Sequence, residues 1–206
     1  KKANLKAKRN ISMVINLLDF AKKNKIKNFI YFSTIDINYS PYPVKKNIYI
    51  KNLVKNGYQS TGNLLDKPFL EITELKKKIE KQISIYRKNY KNSDDYYITR
   101  WPNESELTGW YIKLKKQGQL KSHIHETGWL SGVFYLRVPK PLRKNEGSIN
   151  LSLQGFDYPY DKNLPNLYYA PKPFDLILYP SSLFHYTVPF SSNDERHSIA
   201  FDVTPK

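Results

Sequence analysis

Two histidines spaced one residue apart are the first candidates for chemistry in this chain of 206 residues. His123 and His125 lie in the segment Lys-Ser-His-Ile-His-Glu. Alternate side chains of a β-strand point to the same face, so both imidazoles can aim at one point. A third histidine, His185, lies much further along, in Leu-Phe-His-Tyr-Thr. Because imidazole is the commonest metal ligand among side chains, the three histidines predict a metal site.

The segments around these histidines have the patterns of strands. A near-continuous apolar run at 129–138 follows the first pair and is typical of a buried strand. Short strand-like runs separated by turn signals indicate a β-sandwich, jelly roll or barrel. We expect strands at 96–100, 109–116, 119–125, 129–138, 147–153, 174–179, 185–188 and 196–203.

The chain before residue 96 has helical character. Apolar residues at spacings of three and four predict an amphipathic helix that packs on a sheet, through Ile72, Leu75, Ile79, Ile83, Tyr86 and Tyr90. Similar spacing from Ile11 to Ala21 precedes a strand-like run at 29–32, and Asn56-Gly57 predicts a tight turn. We divide the chain into three parts. They are a helix/strand extension at 1–46, a helical lead-in packed on the core at 47–95, and a core at 96–206. One interpretation of the extension is that it is the end of an upstream domain.

These motifs together resemble the 2-oxoglutarate/Fe(II)-dependent oxygenases. The pattern is His-x-His before Trp-Leu-Ser-Gly-Val-Phe-Tyr-Leu, then a distal His, then Arg-x-Ser in a final strand. It is most similar to a bacterial and phage group of that superfamily. The resemblance covers the last half of the chain closely and about 47–97 loosely. It implies an α+β, mainly β fold, with a double-stranded β-helix (jelly roll) core buttressed by N-terminal helices.

The resemblance implies Fe(II) as the metal, but the ligand pattern departs from the family. The usual set is two histidines and one carboxylate. His125 stands where the family has Asp or Glu. We prefer the ligand set His123, His125 and His185. The alternative is that Glu126 supplies a carboxylate where the chain bends near Gly128, although strand alternation points Glu126 away from His123.

The resemblance also implies 2-oxoglutarate as co-substrate, whose distal carboxylate needs a cation. Arginine binds a carboxylate through two parallel hydrogen bonds and keeps its charge. Arg196 follows His185 by 196 − 185 = 11 residues, the interval usual in the family, and Ser198 shares its strand face. Tyr111 is a weaker candidate, by similarity to a tyrosine of prolyl-hydroxylase relatives. Further polar candidates for the pocket are Ser131, Tyr135, Ser148, Asn150 and Ser152.

The implied function is that of a non-haem Fe(II)- and 2-oxoglutarate-dependent dioxygenase. It would hydroxylate a substrate that the sequence does not identify and release succinate and CO₂. A three-histidine, cupin-like metal dioxygenase that does not use 2-oxoglutarate is one alternative, and a non-catalytic basic binding module is another. The formal charge of +16 suits nucleic acid as partner of such a module. However, the lysines are scattered through a composition rich in Lys, Asn, Ile and Tyr, so small molecules are the preferred partners.

Composition excludes several other classes of site. The chain has no cysteine, which removes disulfides, thiolate metal sites and cysteine nucleophiles. No apolar run approaches the roughly 20 residues of a membrane-spanning helix, and no secretory signal is visible. We therefore expect a cytoplasmic protein with no membrane partner.

Overall fold

The computed structural model describes residues 28–31, 53–155, 161 and 163–206. The helix predicted from Ile11 to Ala21 lies outside these residues. Within them, no helix combines the length and the apolar character that crossing a membrane requires.

The strands of the described residues form two sheets. The larger has the order β1-β7-β4-β9-β3-β2, and its strands are β1 (Asn28–Tyr31), β2 (Val54–Gln59), β3 (Ser105–Leu120), β4 (Leu130–Arg137), β7 (Asp175–Pro180) and β9 (Arg196–Pro205). The smaller has the order β6-β5-β8, with β5 (Ile149–Ser152), β6 (Asn166–Tyr169) and β8 (Phe184–Thr187). Only β1 and β7 pair in parallel among these strands.

The apolar core has two layers, one on each face of the larger sheet. Alternate residues of β9 divide between them, since Ile199 and Phe201 pack toward the helical side and Ala200 toward the smaller sheet. Ile149 and Leu151 of β5 complete the layer between the sheets. Two facing, mainly antiparallel sheets with helices on one side are the predicted double-stranded β-helix, and this prediction is confirmed.

Helix α1 (Leu70–Asn89) is the predicted amphipathic helix. Ile72, Leu75, Ile79 and Tyr86 are at most 4% exposed and pack in the same cluster as Phe134 and residues of β7 and β9. The stripe therefore packs on the sheet, as its spacing predicted.

The prediction of a strand at 96–100 is wrong, because the segment forms a short helix, α2 (Tyr96–Thr99). Asp95 caps it: its Oδ1 accepts a hydrogen bond from the Tyr97 amide at 2.9 Å. Its carbonyl oxygen accepts from the amides of Ile98 and Thr99, both at 2.9 Å. Capping by an aspartate thus overrides the strand preference of the aromatic residues.

Other boundaries differ because residues with positive φ lie inside strands. Gln117 has φ 58°, and β3 passes through it as one strand where two were predicted. The strand predicted at 119–125 is wrong beyond Leu120, where β3 ends, and His123 forms only an isolated bridge with His185. Asn56 has φ 50° and lies in a bulge of β2, so the predicted Asn56-Gly57 turn is wrong. Strand β6 was not predicted. β1 and β2 come from the segments 1–46 and 47–95, and each forms an edge strand of the larger sheet.

Candidate metal centre and co-substrate pocket

A backbone bridge brings the distant histidines together. The amide of His123 donates to the carbonyl of His185 at 3.1 Å, and the reverse hydrogen bond measures 2.9 Å. The amide of His125 donates to the carbonyl of Ser181 at 3.0 Å. The chain between β3 and β4 is therefore held against β8 and the turn before it.

The three imidazoles converge on one point. One ligand-capable atom from each of His123, His125 and His185 lies within 4.8 Å of the other two. The Nε2 atoms of His123 and His125 are only 3.1 Å apart. The ring centroid of His185 lies 4.2 Å from that of His123 and 4.9 Å from that of His125. The structure thus brings together the three histidines of the preferred ligand set.

The other ring nitrogen of each histidine has an acceptor. Nδ1 of His123 lies 2.7 Å from the carbonyl oxygen of Lys121, and Nδ1 of His185 lies 3.0 Å from that of Leu183. Nδ1 of His125 lies 2.6 Å from Oδ1 of Asp202. Each Nδ1–H therefore donates, which leaves each Nε2 with a free lone pair. Lone pairs that face one another at this separation suit a cation between them, so the donor set fits a metal ion.

Desolvation keeps two of these imidazoles neutral, the half-buried His123 and the buried His185. Desolvation, with the nearby His125, lowers the pKa of His123 to about 4. Desolvation and the two neighbouring imidazoles hold the pKa of His185 well below its ordinary value. Both rings are therefore in the ligand form at neutral pH.

Sequence reasoning missed the carboxylate behind His125. Asp202 lies opposite Ser131 in the pairing of β9 with β4, and Ser131 Oγ donates to Asp202 Oδ1 at 2.7 Å. A signal was present in the sequence, because Arg196, Ser198 and Asp202 occupy alternate positions of one strand. Alternation places their side chains on the same face of β9.

Arg196 is a buried cation without a carboxylate partner among the described residues. Its side chain is 2% exposed, donates from Nη1 to Ser198 Oγ at 3.2 Å, and lies 4.8 Å from the ring centroid of Tyr135. Neither Arg196 Nε nor the Tyr135 hydroxyl has a hydrogen-bond partner within the described part of the chain. Buried polar groups are normally satisfied, so this pair can accept an anionic ligand.

One cavity connects Arg196 to the histidines. It holds about 480 Å³ of atom-free space, part of it open to solvent. Its lining includes the three histidines, Arg196 and Ser198, together with Gln59, Trp110, Ile112, Val133, Tyr179 and Ala200. The predicted metal site and the predicted carboxylate site thus share one cavity.

Two other candidates lie elsewhere. The hydroxyl of Tyr111 is 2.7 Å from Nδ1 of His197, and the side chain packs in the core layer beside α1. Strand alternation directs Tyr111 to the face of β3 opposite Trp110 and Ile112, so the structure does not bring it to the cavity. Glu126 is exposed and outside the histidine cluster.

The fold is a double-stranded β-helix, and its cavity brings three histidines that could hold a metal ion close to a buried arginine. Residues 108–202 match the profile of the family described as "Putative 2OG-Fe(II) oxygenase". The match spans less than half of the chain, and it confirms the resemblance to the 2-oxoglutarate/Fe(II)-dependent oxygenases. An oxygenase of this family uses Fe(II) and 2-oxoglutarate, and the three histidines could hold the metal ion.

Solved structures show the same fold at low sequence identity. HygX from Streptomyces hygroscopicus, with nickel and 2-oxoglutarate bound, is 13% identical with a TM-score of 0.51. That match covers 76% of this chain and 73% of HygX. A prolyl hydroxylase from Trichoplax adhaerens, in complex with a hypoxia inducible factor peptide fragment, is 14% identical with a TM-score of 0.50. That match covers 94% of this chain and 77% of the prolyl hydroxylase. No curated protein matches the chain.

Proposed function

We propose that His123, His125 and His185 hold Fe(II), and that Arg196 and Ser198 bind the distal carboxylate of 2-oxoglutarate. The reaction is hydroxylation of a C–H bond in a primary substrate. One observation carries the proposal: three Nε2 lone pairs converge in the same cavity as a buried guanidinium to which the described residues offer no carboxylate.

The residues of the chain position the reactants. When bound, Fe(II) supplies O₂ activation, with oxidative decarboxylation of 2-oxoglutarate to succinate and CO₂. With only three ligands from the protein, His123, His125 and His185, Fe(II) would keep room for the co-substrate and O₂. Arg196 and Ser198 fix the distal end of the dianion, while Ile112, Val133 and Ala200 line the cavity with apolar atoms that exclude water.

The position of Glu126 supports the three-histidine set over the alternative set. Its side chain is exposed, while His125 offers Nε2 only 3.1 Å from Nε2 of His123. Replacing His125 by Glu126 as a ligand would require the backbone after the bridge to rotate. That segment is held by the hydrogen bond from the His125 amide to Ser181 and by one from the Gly128 amide to the His125 carbonyl, at 3.1 Å.

The test compares two histidine variants. His185→Ala should lose Fe(II) binding by at least roughly a hundredfold in an anaerobic titration, because a buried ligand is removed. His197→Asn is the matched control, since His197 is also buried and lies on the other face of β9, where its Nδ1 contacts the Tyr111 hydroxyl. It should bind Fe(II) like the wild type. Tight Fe(II) binding by folded His185→Ala would contradict the ligand assignment.

A second measurement separates the two metal-dependent functions. Fe(II)-loaded wild-type protein should release succinate in proportion to the 2-oxoglutarate consumed, and Arg196→Met should release far less at the same concentration. A protein that binds Fe(II) but neither binds nor consumes 2-oxoglutarate would favour the cupin-like dioxygenase.

A further inference from the structure

His125 differs from the other two ligand histidines in the group that its Nδ1–H contacts. His123 and His185 donate to neutral backbone carbonyls. His125 instead donates to a carboxylate, Oδ1 of Asp202, at the short distance of 2.6 Å. A charge-assisted hydrogen bond of this kind is about twice as strong as one between neutral groups. The three imidazoles are therefore electronically unequal.

The carboxylate of Asp202 is built into the sheet. The residue is 8% exposed, and its Oδ1 also accepts from Ser131 Oγ at 2.7 Å. Ser131 Oγ in turn lies 2.8 Å from Ser181 Oγ, and the Ser181 carbonyl holds the His125 amide. The only ion pair that the described residues give Asp202 is the one with His125. Its charge is therefore directed at that imidazole.

We infer that Asp202 is a positioning residue of the metal centre. The three histidine ligands carry no negative charge, and Asp202 supplies one through its hydrogen bond to His125. This inference rests on the proposed function. His125 occupies the motif position where an oxygenase of this superfamily usually has a carboxylate ligand. Asp202 places a carboxylate one imidazole further from the metal. It fixes the tautomer and the ring orientation of His125 and makes Nε2 a stronger donor.

The charge has opposite effects on the two ligands of the site. A negative group near the centre strengthens binding of the cation and opposes binding of the dianion. Removing the charge while keeping the shape should therefore weaken metal binding and leave 2-oxoglutarate binding to the metal-loaded protein unchanged or tighter. A purely structural role for Asp202 predicts instead that both affinities fall together, because a distorted cavity fits neither ligand.

Asp202→Asn is the appropriate variant, because the amide oxygen can still accept from His125 and Ser131. Mn(II) affinity, measured by competition with a chelator, should fall about 10- to 100-fold, as for other groups that hold a ligand histidine. The 2-oxoglutarate affinity of protein saturated with Mn(II) should not fall. Mn(II) affinity within twofold of the wild type, or a parallel loss of 2-oxoglutarate affinity, would overturn the inference.

Asp175→Asn is the matched control. Asp175 is also a buried aspartate, but it accepts hydrogen bonds from the Tyr169 hydroxyl and the Lys172 amide, both at 2.7 Å. Its substitution should leave Mn(II) affinity unchanged. Absence of Mn(II) binding in the wild type would refute the proposed function itself, whereas equal binding by wild type and Asp202→Asn refutes only the role of Asp202.

A measurement on wild-type protein covers the case in which Asp202→Asn does not fold. Nitrogen-15 spectra of the metal-free protein report which ring nitrogen of each histidine carries the proton. We expect His125 protonated at Nδ1, with the Nδ1 proton shifted downfield of those of His123 and His185 by the carboxylate. His125 protonated at Nε2 would refute the inference.

Discussion

Arg196→Met removes the guanidinium that we assign to the distal carboxylate of 2-oxoglutarate. Methionine keeps an unbranched, flexible side chain in the buried space beside Tyr135. The substitution therefore tests the charge and its hydrogen bonds more than the packing. Ser198 Oγ loses its 3.2 Å contact with Nη1 but remains available to the ligand.

The size of the effect follows from the burial of Arg196. Hydrogen bonds to charged groups contribute about 1.5–3 kcal/mol each, and an arginine binds a carboxylate through two. Taking the lower limit for both gives about 3 kcal/mol, or roughly a hundredfold weaker binding. Without ligand, the substitution should have the opposite effect, on the stability of the folded protein. A buried guanidinium with no carboxylate partner among the described residues costs stability, so the free energy of unfolding should be unchanged or higher in the variant.

Thermal and chemical unfolding with and without 2-oxoglutarate measures both effects in one experiment. At a ligand concentration of 100 Kd for the metal-loaded wild type, the gain in stability is about 2.7 kcal/mol. A hundredfold weaker variant gains only about 0.4 kcal/mol at the same concentration. Arg137→Met is the control, because Arg137 is 51% exposed and its ion pair with Asp194 is long, at 3.9 Å. Equal stabilisation of Arg196→Met and wild type by 2-oxoglutarate would refute the assignment.

Two further predictions concern the alternative ligand and pH. Glu126→Gln should bind Fe(II) as tightly as wild type, because the side chain is exposed and outside the cluster; a large loss in an anaerobic titration would restore Glu126 as a ligand. Burial lowers the pKa of His185 and of His197 in the folded protein, so below about pH 6.5 the unfolded chain binds more protons. Denaturant unfolding of metal-free protein should therefore show stability falling on acidification from pH 7 to 5, by at most about 1.4 kcal/mol per pH unit for each histidine. Constant or rising stability would contradict this sign.

The parts of the site that the sequence predicted depend on local periodicity. Alternation within β9 puts Arg196 and Ser198 on one face. The sequence also predicted that His123 and His125 converge, but the assumed strand alternation is not the cause, because β3 ends at Leu120 and an isolated bridge holds His123 against His185. The helix at 70–89 follows from its apolar stripe. These patterns involve residues that are close together in the chain, so a single sequence is enough to recognise them.

The parts that the sequence did not predict depend on contacts between distant residues. Asp202 meets Ser131 only because β9 pairs with β4 in one register. The hydroxyl of Tyr111 faces His197 because the long strand β3 pairs with β9, which directs it away from the cavity. Residues 96–99 form the helix α2 and not the predicted strand, because Asp95 caps the helix with a few hydrogen bonds. Strand pairing and capping decide such cases, and residue type alone does not.

Strand β9 sets the distance between the arginine end and the histidine end of the cavity. Arg196 and Ser198 lie near the beginning of β9, and Asp202, which holds His125, lies further along the same face. Pairing fixes this strand on both sides, since Ser198 lies opposite Ile112 of β3 and Asp202 lies opposite Ser131 of β4. A slip of one residue would turn the whole set to the other face. The spacing between the carboxylate anchor and the metal ligand is therefore a property of the sheet, and loops need not rearrange to create it.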